Sequence, residues 1–249
     1  MILIKSSSQI AEMRKANRIV RDTLDMLREH TVPGVSTLQL NKLAHDYITK
    51  QGAVPSFLGY NGFPASICVS VDCEVVHGIP SKNKILQEGQ IVSIDCGAIY
   101  NGWHGDAART YGVGFISKDC QQLIDVTQQC FFKAVDCIKA GVTRLGDIGY
   151  AVQSHAESFG YGVVRELVGH GIGRQMHEDP NVPNFGQAGR GMRLSAGMTI
   201  AIEPMINMGT EKVDFMSDGW TVKTRDRKPS AHYENTIAIT EDGIEILSL

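Results

Sequence analysis

Four carboxylates stand in or beside apolar runs of this 249-residue sequence. Asp95 lies within IVSIDCGAI, Glu203 lies within MTIAIEPMI, and Glu234 begins ENTIAIT. The fourth, Asp106, follows the Asp95 run after a short polar interruption. Burying a carboxylate in an apolar strand is costly unless it is paired, hydrogen-bonded or bound to a metal ion. Although a single acid of this kind is more often a capped or solvated residue, four together are candidates for a charged site.

The polar interruption contains Asn101-Gly102, a dipeptide typical of two-residue β-hairpin turns. A regular hairpin about this turn pairs residues whose numbers sum to 203, so that Gly97 lies opposite Asp106. Asp95 shares the face of Gly97 and becomes a diagonal neighbour of Asp106, with Cβ atoms about 7–8 Å apart. Two carboxylates on one face repel each other unless a cation lies between them or one is protonated. A solvent-facing pair is the alternative.

Three of the eight histidines stand in unusual surroundings. His170 and His177 belong to GHGIGRQMHEDP, where glycines flank His170, and His77 lies in VVHGIP before a turn. The Gly-x-Gly pieces do not complete a phosphate-binding loop, because neither a full GxGxxG nor a Lys-Ser/Thr ending is present. A lone histidine is more often structural than catalytic, and both readings stay open for these three. The remaining histidines are predicted to be structural: His30, His45, His104, His155 and His232.

Carboxylates with one imidazole form a hard donor set of oxygen and nitrogen. Such a set is typical of sites for divalent Mn, Co, Fe or Zn, and it differs from a thiolate zinc site. The six cysteines contain no CxxC pair, which argues against a zinc ribbon or a thioredoxin-type site. Two metal ions bridged by carboxylates recur in hydrolytic enzymes, including aminopeptidases. The residue types therefore suit a two-metal hydrolytic centre.

Composition limits the class of protein. Hydrophobic residues make up 43% and charged residues 20%, as in soluble globular proteins. The net charge of −3 is too balanced to indicate nucleic acid or an anionic membrane as the main partner. The opening apolar run stops at Lys5, whereas a secretory signal needs about 7–15 apolar residues and a membrane span about 20. We therefore expect a cytoplasmic protein without nucleic-acid or membrane partners.

The predicted elements occur twice in the same order. Helices are predicted over 7–30, 37–50, 118–140 and 144–159, and strands over 66–71, 91–99, 198–206, 234–240 and 244–247. Residues 34–38 match residues 141–145 at an offset of 107, and Asp95 and Glu203 end equivalent strands 108 residues apart. These matches predict a duplicated α-α-β unit. The halves are expected over about 7–112 and 118–247 within a single catalytic domain of 1–249, related by a pseudo-twofold axis.

Five motifs resemble those of the type I methionine aminopeptidases of the short bacterial kind. They are VVHGIP, SIDCGAIYNGWHGD, GHGIGRQMHEDP, TIAIEPMIN and HYENTIAIT, and together they span most of the chain. The resemblance implies the pita-bread fold, an α/β (α+β) architecture. In this fold two pseudo-twofold related α-α-β halves form a curved antiparallel sheet with helices outside, and the active site lies between the halves.

The resemblance also implies a role for each matched ligand residue. Asp95 is expected to bind one divalent ion, and His170 and Glu203 to bind the other. Asp106 and Glu234 are expected to bridge the two ions, which are Co, Mn, Fe or Zn. Glu203 is further expected to accept the proton of the water or hydroxide that the two ions bridge.

Substrate contacts follow from the same resemblance. His77 and His177 are expected to contact the substrate near the scissile amide and to act in catalysis. An apolar pocket for the methionine side chain is implied at Tyr60, Phe63, Cys68 and Trp220. Plain core packing is the alternative for these four, and their spacing alone favours it. Two residues depart from the family pattern, in which Asn is common at Asp72 and an aromatic residue at Met176.

The implied activity is removal of the N-terminal methionine from nascent proteins and peptides, preferentially when the second residue is small and uncharged. The expected partners are nascent polypeptide N-termini near the ribosome, and the expected oligomeric state is a monomer. Three alternatives remain: a pita-bread peptidase of the Xaa-Pro type, a catalytically inactive binding module on the same fold, and a metal-independent fold member that hydrolyses a small amidine. The inactive module is disfavoured because all five ligand positions are filled.

Overall fold

The computed structural model describes residues 2–249. Its first two helices are α1 (Ser7–His30) and α2 (Thr37–Lys50), as the apolar spacing predicts. Both begin with a capping box, in which a serine hydroxyl and a glutamine side chain three residues later satisfy each other's backbone N–H groups. The N-cap of α1 is Ser6.

The second pair of helices is α3 (Lys118–Asp136) and α4 (Leu145–Ser158). The prediction that α3 continues to residue 140 is wrong, because Thr143 captures the backbone groups beyond it. The Thr143 hydroxyl donates to the Cys137 carbonyl at 2.7 Å and accepts from the Lys139 N–H at 2.8 Å. These bonds replace those that another helical turn would need.

Short strands and one 3₁₀ turn, Tyr60–Gly62, make up most of the remaining chain. The strands are β1 (Val54–Pro55), β2 (Ile67–Val71), β3 (Glu74–Val76), β4 (Ile91–Tyr100), β5 (Trp103–Gly112), β6 (Gly162–Val163), β7 (Gly169–Gly171), β8 (Glu178–Val182), β9 (Thr199–Ile202), β10 (Met205–Asn207), β11 (Val213–Phe215), β12 (Val222–Thr224), β13 (Ser230–His232), β14 (Glu234–Ile239) and β15 (Ile244–Ile246).

One nine-stranded sheet dominates the fold. Its main path runs β1-β4-β5-β14-β9-β7-β8, with β2 beside β4 and β15 beside β14. Two smaller sheets, β13-β10-β6 and β11-β12-β3, have three strands each. The strand pairs of all three sheets are antiparallel. The prediction of an α/β (α+β) fold with an antiparallel sheet is confirmed.

The helices cover the sheet in two pairs, each over its own apolar core. Val20 and Leu24 of α1 and Leu40 of α2 pack with Ile94 of β4 in one core. A second core holds residues of α3, α4, β9 and β14: Leu123, Phe131, Val152, Ile200 and Ile237. No helix among residues 2–249 is both long and apolar enough to span a membrane.

The β4–β5 hairpin has the predicted register. Ten consecutive pairs run from Ile91 opposite Gly112 to Tyr100 opposite Trp103, without a bulge. Gly97 therefore lies opposite Asp106, and Asp95 lies opposite Ala108. The two carboxylates stand on one face of the sheet, because side chains two residues apart along a strand share a face.

The strand predicted over 198–206 is two strands in different sheets. The break falls at Glu203-Pro204, between β9 and β10. Pro204 lacks the backbone N–H that would continue the ladder of β9, so the chain leaves the large sheet there. Glu203 consequently stands where the large sheet meets the β13-β10-β6 sheet.

Candidate metal centre and active site

Three of the four acids stand in one row across the large sheet. Asp95 of β4 pairs with Ala108 of β5, and Ala108 pairs with Glu234 of β14. The next pair between β14 and β9 is Asn235 with Ile202, which leaves Glu203 beside Glu234 just beyond the end of β9. Side chains in one such row point to the same face of a sheet. Pairing between distant parts of the chain thus brings Asp95, Glu203 and Glu234 together.

Asp106 joins this row from β5, two residues before Ala108 and on the same face. Its backbone is held on both sides. The Asp106 N–H lies 3.3 Å from both Asn17 Oδ1 of α1 and Thr236 Oγ1 of β14. The Thr236 hydroxyl donates to the Asp106 carbonyl at 2.9 Å. The carboxylate is therefore carried by a strand that a helix and a neighbouring strand both fix.

His170 supplies an imidazole to the same cluster. Its Nδ1 lies 2.9 Å from the Gly171 carbonyl, which assigns the proton to Nδ1. Nε2 then carries the lone pair and lies 3.7 Å from both Asp106 Oδ2 and Glu203 Oε1. A backbone carbonyl that fixes one ring nitrogen while the other faces carboxylates is a common arrangement of histidine ligands to metals.

The donor set fits divalent metal ions. Asp95 Oδ1, Asp106 Oδ1 and Glu234 Oε1 are buried without a hydrogen-bond partner among the described residues. One ligand atom each from Asp106, His170 and Glu234 lie within 4.8 Å of one another. Leaving buried carboxylate oxygens unpaired is unfavourable, and cations satisfy them. These unpartnered oxygens are the structural evidence for metal binding at this cluster.

The pKa values of the metal-free cluster lead to the same conclusion. Burial raises the pKa of Asp95 to about 7 and that of Glu203 to about 8. Burial, then the charges of the neighbouring carboxylates, raise the pKa values of Asp106 and Glu234 well above their usual range. Burial lowers the pKa of His170 to about 3. Without a cation the acids hold protons and the imidazole stays neutral, whereas bound cations would favour the ionised carboxylates.

His77 and His177 flank the acids. His177 Nδ1 lies 2.7 Å from the Tyr60 hydroxyl, and its ring centroid lies 4.2 Å from that of His170. His77 has a positive φ of 58°, an uncommon backbone conformation for a residue other than glycine. Its ring stands edge-on to Trp220, with centroids 6.4 Å apart. Burial lowers the pKa values of both histidines, that of His77 to about 4.

A cavity of about 220 Å³ opens onto this cluster. Every residue that the sequence assigns to the site lines this cavity: Tyr60, Phe63, Cys68, His77, Asp95, Asp106, His170, His177, Glu203, Trp220 and Glu234. Phe63 and Trp220 meet edge-to-face, with ring centroids 5.0 Å apart. Phe57 and Met176 complete an apolar wall around them. The cavity therefore has a charged end and an apolar end.

The structure places one further histidine beside the acids. His232, predicted to be structural, has Nε2 3.6 Å from Glu203 Oε2 and 4.0 Å from Glu234 Oε2. This nitrogen is buried without a hydrogen-bond partner among residues 2–249. His232 of β13 pairs with Met205 of β10, just after Glu203, which explains how it reaches the acids. Its position two residues before Glu234 is the signal that could have revealed it.

Each of the other histidines predicted to be structural forms a hydrogen bond with one residue outside the acid cluster. The pairs are His30 with Met26, His45 with Ser66, His104 with Ser56 and His155 with Gln129. No feature of the sequence predicted that Phe57 lines the cavity. Of the two departures from the family pattern, Met176 lies in the cavity wall. The Asp72 carboxylate instead accepts from the Ile91 N–H and the Gln90 side-chain amide, at 3.0 and 2.9 Å.

Buried carboxylates and an imidazole that fit divalent metals, beside a cavity, are features of a metallohydrolase. The chain belongs to metallopeptidase family M24, whose model matches residues 11–241. The methionine aminopeptidase of Clostridium acetobutylicum is 55% identical over 249 residues, in an alignment that covers 100% of this chain and 99% of that protein. The family thus uses metal ions for peptide-bond hydrolysis, as its name states.

Solved structures confirm the fold. The crystal structure of methionine aminopeptidase from Rickettsia prowazekii superposes with a TM-score of 0.98 at 45% identity, covering 100% of both chains. Prolidase from Pyrococcus furiosus gives a TM-score of 0.77 at 22% identity, covering 99% of this chain and 65% of that one, a likeness of fold alone. The resemblance to type I methionine aminopeptidases and the pita-bread fold are both confirmed.

Proposed function

We propose that this protein is a metalloaminopeptidase that removes the N-terminal methionine from nascent proteins and peptides, preferentially when the second residue is small and uncharged. One observation carries the proposal: the cluster of Asp95, Asp106, His170, Glu203 and Glu234 opens into a cavity whose far wall is apolar. The charged end supplies hydrolytic chemistry, and the apolar end accepts an unbranched side chain. Full-length identity of 55% to a methionine aminopeptidase supports the same substrate class.

The proposed cofactor is a pair of divalent ions, Co, Mn, Fe or Zn. Asp95 would hold one ion and His170 with Glu203 the other, while Asp106 and Glu234 would hold both. Ions bound there polarise a carbonyl group and lower the pKa of water. The unpartnered oxygens of Asp95, Asp106 and Glu234 support this assignment, because each needs a positive partner once ionised.

The remaining residues bind and orient the substrate and move its protons. Tyr60, Phe63, Cys68 and Trp220 would enclose the methionine side chain, whose flexible thioether suits an apolar, aromatic pocket. His77 and His177 would contact the substrate at the scissile amide. Glu203 would take the proton of the attacking water and pass it to the leaving amine.

We also propose that residues 7–112 and 118–247 are two copies of one unit within a single catalytic domain of 1–249. Equivalent contacts recur at an offset of 108, one residue more than the match of residues 34–38 with residues 141–145. The isolated bridge between Ser36 and Ile85 has a counterpart between Arg144 and Arg193. The Leu86 N–H bonds the Val35 carbonyl, just as the Leu194 N–H bonds the Thr143 carbonyl, both at 2.8 Å. Such matched backbone contacts support duplication over chance similarity.

The proposal includes a setting in the cell. The enzyme would act as a monomer in the cytoplasm on polypeptide N-termini near the ribosome, with no nucleic-acid or membrane partner. All six cysteines are free thiols, which suits a reducing compartment.

Release of methionine from Met-Ala-Ser, compared with cleavage of an Ala-Pro peptide, tests the function. We expect the chelated protein to be inactive on both peptides. Adding back Mn, Co, Fe or Zn should restore cleavage of Met-Ala-Ser alone. Preferential cleavage of Ala-Pro would instead assign an Xaa-Pro peptidase, and full activity after exhaustive removal of metal would overturn the metal-dependent mechanism.

A further inference from the structure

An ion pair buried beside the active site joins the N-terminal segment to the loop that carries His177. Lys5 Nζ lies 2.5 Å from Glu178 Oε2, and the two side chains are 4% and 3% exposed. Glu178 follows His177 directly and begins β8. The loss of hydration in a buried pair offsets much of its Coulomb attraction, so such a pair is weak evidence for added stability.

The Glu178 carboxylate closes the loop over residues 173–178. Its other oxygen, Oε1, accepts from the Gln175 N–H at 3.1 Å. Within the loop the Gly173 N–H donates to the Gln175 carbonyl at 3.1 Å, and the Gly173 carbonyl accepts from the His104 N–H of β5 at 2.9 Å. The carboxylate thus lies inside the loop, and its position sets that of the neighbouring His177 backbone.

Backbone hydrogen bonds hold Lys5, the ion-pair partner of this carboxylate, in place. Its N–H donates to the Gly197 carbonyl at 2.7 Å, and the Gly197 N–H donates to the Ile239 carbonyl of β14 at 2.8 Å. The backbone of Lys5 is therefore connected through Gly197 to the last residue of β14, a central strand of the large sheet. A Cβ atom added at Gly173 would lie 2.6 Å from both Lys5 Cε and Glu178 Oε1. The ion pair accordingly packs directly against the loop backbone.

We propose that Lys5 is a positioning residue for His177, which it holds against Tyr60 and His170 through its buried ion pair with Glu178. The His177 side chain contacts the Tyr60 hydroxyl and the His170 ring, which both line the cavity. Lys5 and Glu178 hold the backbone of the same loop. This inference rests on the proposed function, in which His177 contacts the substrate at the scissile amide.

Substitution of Lys5 separates positioning from simple stabilisation. Lys5→Met removes the cation and keeps most of the side-chain volume. We expect kcat to fall by about 10- to 100-fold, since small displacements of reacting groups have effects of this size. KM and bound metal should change little at a temperature well below the melting temperature. Lys5→Arg, which keeps the charge, should recover most of the lost kcat.

A double-mutant cycle with His177→Ala identifies the residue through which Lys5 acts. If Lys5 works through His177, Lys5→Met should lower kcat by no more than about twofold further in the His177→Ala background. Arg14→Met is the control for loss of a cation near the same end of the chain, because Arg14 forms a partly exposed ion pair with Glu245 of β15, at 2.6 Å. It should leave kcat unchanged.

Three results would overturn the inference: an unchanged kcat in Lys5→Met, effects of Lys5→Met and His177→Ala that multiply fully, or a normal kcat in His177→Ala. The third would also remove the proposed role of His177. The peptide and metal tests of the proposed function do not depend on any of these variants, so the two failures are distinguishable. Should Lys5→Met not fold, Glu178→Gln takes its place in the cycle, because it removes the partner charge and keeps the shape.

Discussion

Glu203 lies where the chain leaves the large sheet, so its side chain reaches the cavity while its backbone stays fixed. Asn184 Nδ2 donates to the Glu203 carbonyl at 2.9 Å. The carboxylate lies between two imidazoles, with Oε1 3.7 Å from His170 Nε2 and Oε2 3.6 Å from His232 Nε2. Burial raises its pKa to about 8 in the metal-free chain, whereas nearby cations would favour the ionised form. An ionised carboxylate at this point can accept a proton from an attacking water.

Replacing this carboxylate by an amide tests the role. Glu203→Gln keeps the size and one oxygen but cannot accept the proton. We expect nearly native folding, altered metal occupancy and a kcat loss of at least about 10²-fold, the low end for loss of a general base. Bound metal and kcat are measured on the same preparation.

The exposed Glu241 provides the control, because Glu241→Gln makes the same chemical change away from the cavity. A Glu203→Gln protein with normal turnover and metal content, altered only in thermal stability, would show that Glu203 is just a buried, hydrogen-bonded acid.

At the scale of elements, the hairpin that carries Asp95 and Asp106 could be predicted from sequence, because a two-residue turn at Asn101-Gly102 fixes the register of both strands. The four helices could be located because their apolar residues recur at helical spacing, and the first two also begin with a capping box. Local sequence patterns are sufficient to predict elements that form between neighbouring segments of the chain.

Other elements depend on contacts that local patterns do not contain. The apolar run MTIAIEPMI continues through Glu203-Pro204. Pro204 indicates a strand end or a bulge, but the run gives no sign that β9 and β10 belong to different sheets. His232 reaches the acids only because β13 pairs with β10. The cavity wall likewise joins Tyr60 and Trp220 from separate loops, and only the family resemblance could suggest that.

The close packing of α1 against β5 positions Asp106. A substitution at Gly105 tests this packing. A methyl group at Gly105 would lie 2.7 Å from the Asn17 N atom and 2.8 Å from the Ala16 carbonyl carbon, so the helix backbone must move. We expect Gly105→Ala to lower the free energy of unfolding by about 1–3 kcal/mol. Metal affinity should weaken as well, because Asn17 Oδ1 accepts from the Asp106 N–H.

Denaturant unfolding and calorimetric metal titration measure the two effects. In the matched variant Gly186→Ala the added methyl meets nothing nearer than 3.4 Å, so it should change stability by less than about 0.5 kcal/mol. Equal stability of the two variants would show that the contact between α1 and β5 is looser than the structure has it.

For the whole molecule, the metal centre opposes folding when it is empty. Asp95, Asp106, Glu203 and Glu234 converge from distant parts of the chain into a buried cluster, and several of their oxygens lack partners. In the metal-free protein these acids lower their mutual repulsion by binding protons. The stability of the empty protein must therefore depend on pH, and cations should remove that dependence.

The sign of the effect follows from the pKa values. Asp95 and Glu203 have folded-state pKa values raised to about 7 and 8, so their contribution to stability is present at low pH and is lost as pH rises through those values. His77, His170 and His232 have pKa values lowered to about 4, 3 and 4, and they act in the opposite direction, but only below their ordinary value of about 6.5.

Between pH 6.5 and 8 the acids alone determine how the stability of the metal-free protein changes with pH. One unit of pKa shift corresponds to about 1.4 kcal/mol, and about 1 kcal/mol moves the melting temperature of a protein of this size by roughly 2–4 °C. We therefore expect the chelated protein to lose at least about 2–4 °C across this window. With Mn²⁺ bound the carboxylates stay ionised, and the melting temperature should be nearly independent of pH.

Melting curves at several pH values, with chelator and with Mn²⁺, measure both slopes. Glu203→Gln should make the decline in chelator shallower, because it removes one of the acids whose pKa is raised. A chelated wild-type protein whose melting temperature stays constant from pH 6.5 to 8 would show that the empty cluster does not titrate as its burial requires.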